Sequence, residues 1–560
     1  MGSIGRDLKD LWSKRCFAVC VPLITLLAYI TQLFRPTVGI DDTSYKMYFV
    51  DGVAPAAGRW CLFLLRMLFP MDYNPYFIEL LGILLFALSA SLWCVVFYRL
   101  FGKELSPWVY SIAAGALVSS PILAEVVVWY LQNGIFIGYG VTALAVLYAL
   151  EGLRAEGKSG SNPGRRVKIL SLIGSMVLLT IALGFYESFV IVFMMAILLV
   201  FSLIRAFNKG GYSKRPLEWL WKTAVILGGA LALRTLILAV LSAVYHLENQ
   251  KLLKSRGLLE ALGWFDGSKS VDDFVLMLKE FFVKYYLHGL VYLPVLILDL
   301  AFGVLVIWGI RYCIRKKDGW ILMGVLGSIL LPWLLAVLEG VATYYRSSQY
   351  VPLVTAVAVL LVGWELHTCK NGTVRMAAFF AAGILLYHQC YEMNKWLYVE
   401  AMKYEDVKRT LSEVAWVVTR SCDERKPVCM IGSYEIPESL LEDVYCPEWS
   451  KRYKLTEKLV KAVDSRIFEK YCTPRGYGAA ETPQLNFMDW GMVAFHTYDR
   501  ELIKFCRMHG LMLEEDLNTE HYREAQERMK DAPAWPAEGS VCEMSDYIIV
   551  NFGERASEEH

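Results

Sequence analysis

Apolar residues along this chain come in long unbroken runs rather than in alternation. Runs of membrane length fall at about 16–34, 76–99, 107–127, 133–151, 169–186, 187–205, 223–243, 289–312, 320–338, 349–367 and 376–392. That is about eleven segments, each near the roughly 20 residues needed to cross about 30 Å of hydrocarbon. The pattern predicts a polytopic α-helical membrane protein. One stretch inside the long loop 244–288 differs: residues 271–282, VDDFVLMLKEFF, are apolar at helical spacing and predict a helix lying flat at an interface. After about residue 393 no run reaches membrane length. Val428-Cys429-Met430-Ile431-Gly432 and Tyr547-Ile548-Ile549-Val550 read as short buried strands, and 455–471 reads as a helix. The pattern therefore divides the chain into a membrane region, 1–392, and a small α/β domain, 393–560.

Composition agrees with this division. The 560 residues are 56% hydrophobic with a net charge of +1, and the mean hydropathy of +0.40 excludes an ordinary soluble protein of this size. A balanced charge gives no footprint for nucleic acid. The 17 Trp and 32 Tyr suit membrane-interface belts. Arg6, Lys9, Lys14 and Arg15 precede the first run, with no small-residue cleavage site, so that run reads as an uncleaved span. Basic residues mark alternate loops: Arg99 and Lys103; Arg154, Lys158, Arg165, Arg166 and Lys168; Lys209, Lys214 and Arg215; Arg311, Arg315, Lys316 and Lys317; Lys370 and Arg375. In an eleven-span count all of them share one side with the N-terminus. The positive-inside rule makes that side cytoplasmic and the C-terminal domain extracytoplasmic in a multi-pass protein of the cell membrane. The last region carries Cys422, Cys429, Cys446, Cys472, Cys506 and Cys542. An even count on the outer side permits disulfides, and Cys422 with Cys429 is the first candidate pair.

Ionisable residues at membrane depth are costly and point to function. Asp41 and Asp42 follow the first span, and Arg59 opens a short apolar run in Gly58-Arg59-Trp60. Glu125 ends the third span within AEVVVWY, just before Tyr130. Glu187 sits in Phe185-Tyr186-Glu187-Ser188, where two spans meet without a polar loop, and Arg346 precedes the tenth span. On the eleven-span topology all of these share the outer depth. Blander readings stand beside the functional one. The aspartates could simply terminate a helix, Glu187 could bridge two helices, and Arg346 could anchor headgroups. Arg59 and Arg66, seven apart on one helical face, fit an interfacial helix with snorkelling cations as well as phosphate binding. Arg234 and Asp299, near the middles of two spans, read as a buried ion pair.

An Asp-Asp pair in the first outer loop, a Gly-Arg-aromatic element after it and an interfacial helix together resemble the GT-C superfamily of membrane glycosyltransferases. Within it the chain is most similar to the serotype-converting O-antigen glucosyltransferases and their Gram-positive bacterial relatives, over roughly residues 16–392. Where that family's arginine is often followed by proline, Trp60 follows Arg59 here. The resemblance implies inverting transfer of a hexose, glucose first, from a polyprenyl-phosphate (undecaprenyl-type) donor to a cell-surface glycan on the outer face. It also implies a separate donor synthase and flippase. Asp42, or its neighbour Asp41, would then be the base that activates an acceptor hydroxyl. Arg59, Arg66 and Arg346 would hold the donor phosphate. Glu125, Glu187, Tyr130, Tyr186 and Trp60 would line the sugar or acceptor site. Were a divalent ion to join Asp41 and Asp42, their oxygens suit Mg or Mn. Two other classes compete. A flippase of lipid-linked sugars would favour an inverted repeat, and none is visible. A polysaccharide polymerase or ligase would favour a larger central outer loop rich in His or Arg.

Overall fold

The structure is a computed structural model that describes residues 2–37, 58–68, 75–127, 134–154, 164–209, 211–213, 215–245, 270–287, 295–340, 342, 347–432, 454–471, 506–507 and 509–553. It is mostly helical. An amphipathic helix α1 (Gly2–Trp12) turns sharply, by 87°, into α2 (Arg15–Ala28), and α3 (Ile30–Phe34) continues after a break at Tyr29. Then come α4 (Trp60–Leu68), α5 (Pro75–Phe101), α6 (Pro107–Val118), α7 (Ala124–Val127), α8 (Gly134–Gly152), α9 (Arg165–Phe185), α10 (Phe189–Ala206) and α11 (Pro216–Tyr245). After these follow α12 (Val271–Phe282), α13 (Val295–Lys316), α14 (Gly319–Glu339), α15 (Tyr350–His367) and α16 (Gly372–Ser421).

Among the described residues eight helices are long and apolar enough to cross a membrane, or nine if the bent α1–α2 pair counts as one span. The protein is therefore a polytopic membrane protein with fewer clear spans than the run count predicts. The differences have local causes. The third run ends as a helix at Val118, because Ser119, Ser120 and Pro121 divert the chain into a 3₁₀ turn (Pro121–Leu123). The eleventh run is the first part of a 50-residue helix, its apolar stretch diluted by His388, Gln389 and Glu392.

Ion pairs tie one end of the bundle together. Arg99 reaches Asp7 at 3.0 Å and Glu151 at 2.8 Å; Lys103 pairs with Asp10, Lys209 with Glu104, Arg205 with Asp318 and Arg311 with Glu365. Lys222 donates to the Gly152 carbonyl at 3.0 Å. These contacts bring basic residues from several alternate loops to a single end. Alternating helices must return to the other end, where α4 packs against the end of α9 at its junction with α10.

The helix α12 forms as its spacing predicts. Ser270 and Asp273 make a reciprocal capping box at its start, while Met277 and Phe281 bury its apolar face. It is tied to the C-terminal region: Lys279 pairs with Asp464 at 3.1 Å, and Arg466 bridges Asp464 and Asp272. The Arg466 guanidinium, helped by Lys279, holds the Asp464 carboxyl well below the usual carboxylate range. The predicted helix over 455–471 is two, α17 (Lys454–Val463) and α18 (Ser465–Tyr471), with Asp464 between them; its carboxylate accepts from the Arg466 backbone at 3.1 Å.

Farther on, β1 (Val428–Ile431), β2 (Val541–Glu543) and β3 (Ile548–Asn551) form a sheet of order β1-β3-β2, with β1 parallel and β2 antiparallel to β3. Both strands expected from sequence are present and fully buried. The helix α19 (Thr519–Arg528) covers the sheet, placing Tyr522 and Ala525 against Cys429 and Ile549. Cys422 and Cys429 are free thiols, so the candidate disulfide does not form. Cys422 caps α16 whereas Cys429 points into the core of the sheet, so closeness in sequence does not bring their side chains together.

Candidate functional site

The site builds outward from the junction of α9 and α10. Helix α9 stops at Phe185, Tyr186 is extended, and α10 starts at Phe189. The turn is tight: Phe189, Val190 and Ile191 donate backbone N–H groups to Tyr186, Glu187 and Ser188. Tyr186 and Ser188 are buried and Glu187 is half-buried. A carboxylate therefore stands at a helix junction with no loop to solvate it.

Helix α4 lies against this junction. Cys61 Sγ donates to the Ile181 carbonyl at 3.3 Å. A Cβ on Gly184 would lie 2.5 Å from Trp60 Cε2 and 2.7 Å from Cys61 Sγ, so only glycine admits the indole so close. With Trp60 seated there, Arg59 extends its guanidinium over the Tyr186 ring, 4.5 Å from the centroid. This cation–π stack fixes one positive charge beside Glu187 and Ser188.

Residue 58 brings a second cation. Gly58 has φ +83, a left-handed conformation that favours glycine. The Arg234 guanidinium of α11 lies directly against it, since a Cβ at Gly58 would be 1.8 Å from Arg234 Nη2. The expected Arg234–Asp299 ion pair is not made: no ion pair is present at either residue among those described. Mid-span depth along two helices did not reveal that Arg234 turns toward Gly58.

Among the described residues, Trp60 Nε1, Glu187 Oε2 and Ser188 Oγ at this junction, and Arg234 Nε beside Gly58, are buried with no hydrogen-bond partner. Buried polar groups are nearly always satisfied. Others lie elsewhere, at Trp93, Trp308 and Glu365, but those around Tyr186 and Gly58 leave polar atoms available to a bound group. The segment after residue 346 is anchored nearby. Tyr139 donates to the Gln349 carbonyl at 2.6 Å and packs edge-on against Phe189, while the Tyr285 and Ser348 hydroxyls bond to each other. Gln32 donates to Glu79, a fully buried acid at the start of α5 that pattern reading passed over. Its signal was available, an ionisable residue one turn into an apolar run.

Of the residues singled out from sequence, the structure brings together Arg59, Trp60, Tyr186 and Glu187. Asp41, Asp42, Tyr130 and Arg346 lie outside the described residues, as does any divalent ion site built on the aspartates. Arg66 falls in α4 and Glu125 in α7, with their side chains outside the described set. A family model described as glucosyl transferase GtrII matches residues 30–363, more than half of the chain. No curated protein and no solved structure matches it.

Proposed function

The chain belongs to the glucosyl transferase GtrII family, and from that premise we propose that it moves glucose from a polyprenyl-phosphate carrier to a surface glycan on the outer face of the cell membrane. The observation that carries the proposal is the socket itself. Arg59 is stacked on Tyr186, and Trp60, Glu187 and Ser188 beside it present polar atoms without partners among the described residues. A sugar phosphate offers hydroxyls and anionic oxygens that match this set.

In this proposal the chain is GT-C-like with about eleven spans, its N-terminus cytoplasmic, and residues 393–560 an extracytoplasmic α/β domain. A donor synthase and a flippase supply the lipid-linked sugar. Asp42 accepts the acceptor's proton as the acceptor oxygen attacks the anomeric carbon, and Asp41 orients the acceptor or a divalent ion. Arg59, with Arg66 and Arg346, stabilises the departing phosphate. Glu187 and Glu125, with Tyr186, Tyr130 and Trp60, hold sugar or acceptor hydroxyls. Oriented hydroxyl recognition of this kind discriminates strongly, because the wrong sugar leaves buried groups unpaired.

The test is transfer of radiolabelled glucose from polyprenyl-phosphate glucose in detergent, comparing the wild type with Asp41→Asn and Asp42→Asn. At least one variant should lose activity by orders of magnitude. Full activity in both would remove the aspartates from catalysis. Movement of the lipid across vesicles without transfer would instead identify a flippase.

A further inference from the structure

We propose that Arg234 is a second cation of this site and acts on the phosphate of the leaving lipid; the proposal rests on the transfer function above. The ion pair with Asp299 that the sequence suggests would neutralise it, but that pair is not made among the described residues. The fold leaves it charged and uncommitted. Its Nε is buried without a partner, and it makes no ion pair among the described residues. Its helix is mostly turned to lipid, with Leu231, Leu236 and Val240 about half exposed. An arginine on such a helix is costly, and an anion at its half-buried guanidinium would offset that cost.

The position suits that anion. Arg234 lies eighteen residues into α11, about 27 Å along the helix from its basic end. That is the depth at which α9 ends and Trp60 packs on Gly184. The guanidinium covers the backbone of Gly58, and the next residue is Arg59, whose own guanidinium is fixed on Tyr186. An anion that reaches this end therefore meets Arg234 as well as Arg59. Gly58 is what permits the approach, because any Cβ there would overlap Arg234 Nη2.

The chemistry says when the second cation matters. The donor is a phosphodiester with one negative charge. The acceptor oxygen bonds to the anomeric carbon and its proton passes to the carboxylate base. The bond from that carbon to the phosphate oxygen breaks, and its electron pair stays on the phosphate. The leaving lipid is then a monoester carrying up to two negative charges. A second guanidinium interacts more strongly with the product-like transition state than with the bound donor, so it should act on kcat more than on KM.

The experiment compares wild type, Arg234→Gln and Arg234→Lys in the detergent transfer assay. It also measures thermal stabilisation by polyprenyl phosphate, polyprenyl-phosphate glucose, uncharged polyprenol and phosphatidylglycerol. Arg234→Gln should lower kcat about a hundredfold or more with a smaller change in donor KM, on the scale of losing one oxyanion donor. Lysine should restore part of it. Stabilisation by polyprenyl phosphate should fall most in Arg234→Gln, with unliganded melting close to wild type. Equal kcat in Arg234→Gln and wild type would overturn the proposal. So would a large drop in unliganded melting with activity per folded molecule unchanged, which would make Arg234 purely structural. Equal stabilisation by phosphatidylglycerol and polyprenyl phosphate would assign the arginine to bulk lipid headgroups and overturn its role in transfer. A wild type that transfers no glucose yet keeps a polyprenyl-phosphate shift lost in Arg234→Gln would refute the transfer function while retaining the anion site.

Discussion

Replacing Gly58 by alanine tests the geometry at the centre of the site. Two penalties add. An L-residue held at φ +83 costs about 1–2 kcal/mol. The new Cβ would also sit 1.8 Å from Arg234 Nη2 and 2.8 Å from its Cζ. The guanidinium must retreat by roughly 1.5 Å or more to reach ordinary contact, an overpacking cost of about 1–3 kcal/mol. Gly58→Ala should therefore destabilise the protein by about 2–5 kcal/mol. The two parts separate in a double-mutant cycle. In an Arg234→Ala background the steric part vanishes and only about 1–2 kcal/mol of backbone strain remains. The coupling between the sites should be about 1–3 kcal/mol. Tryptophan fluorescence during denaturant titration in mild detergent measures all four proteins. If Gly58→Ala costs the same in both backgrounds, the guanidinium does not lie on Gly58 and the case for Arg234 loses its foundation.

Gly184→Ala should push Trp60 and Cys61 off α9, lowering thermal stability by an amount equivalent to about 1–3 kcal/mol and reducing transfer. Tyr186→Phe keeps a ring beneath Arg59 and should retain most activity, whereas Tyr186→Leu forfeits about 0.5–2 kcal/mol of cation–π attraction and should lose several-fold in the transfer assay. Asp464 carries a depressed pKa set first by Arg466. Its contribution is complete above the usual carboxylate range and is lost as pH falls through that range and below. Hydrogen exchange in α12 should accordingly rise on strong acidification, and Asp464→Asn should raise it already at neutral pH. Burial lowers the His509 pKa below 6.5, with Lys408 adding to the shift, while its Nε2 lies 2.8 Å from the Tyr404 hydroxyl. Stability from this contact is complete above about pH 6.5 and declines below it, so exchange at residues 509–516 should increase between pH 7.5 and 5.5 and respond less in His509→Gln.

Much of the membrane region was legible because burial in lipid leaves a one-dimensional mark. The junction at Tyr186-Glu187-Ser188 was placed to within a few residues, since two apolar runs abut there and only a turn can separate them. The break at Tyr29 left no mark, because tyrosine is at home in a helix. At Pro121 the breaker was visible, but the run around it was apolar enough to mask it. Side-chain direction was the harder quantity. Arg234 and Asp299 have opposite charges at similar depth, yet depth says nothing about which face of a helix meets which neighbour. The same limit applies to Cys422 and Cys429, seven residues apart but divided between a helix cap and a strand interior. Glu79 shows the converse, a buried acid whose partner Gln32 lies on another helix.

Helix α16 has a further consequence. It runs for 50 residues without interruption, about 75 Å at 1.5 Å per residue, against about 30 Å of hydrocarbon. It is a ruler. The strand β1 begins seven residues after its last turn, so peptide geometry rather than loop slack sets how far the sheet stands from the bundle. Length and phase on such a ruler are linked. Inserting four residues after Val418 would move the sheet by about 6 Å and swing it through about 40°, while seven would carry it about 10 Å outward with nearly its original bearing. The two insertions separate distance from orientation, and whichever of them the transfer reaction tolerates tells what the spacing was measured for.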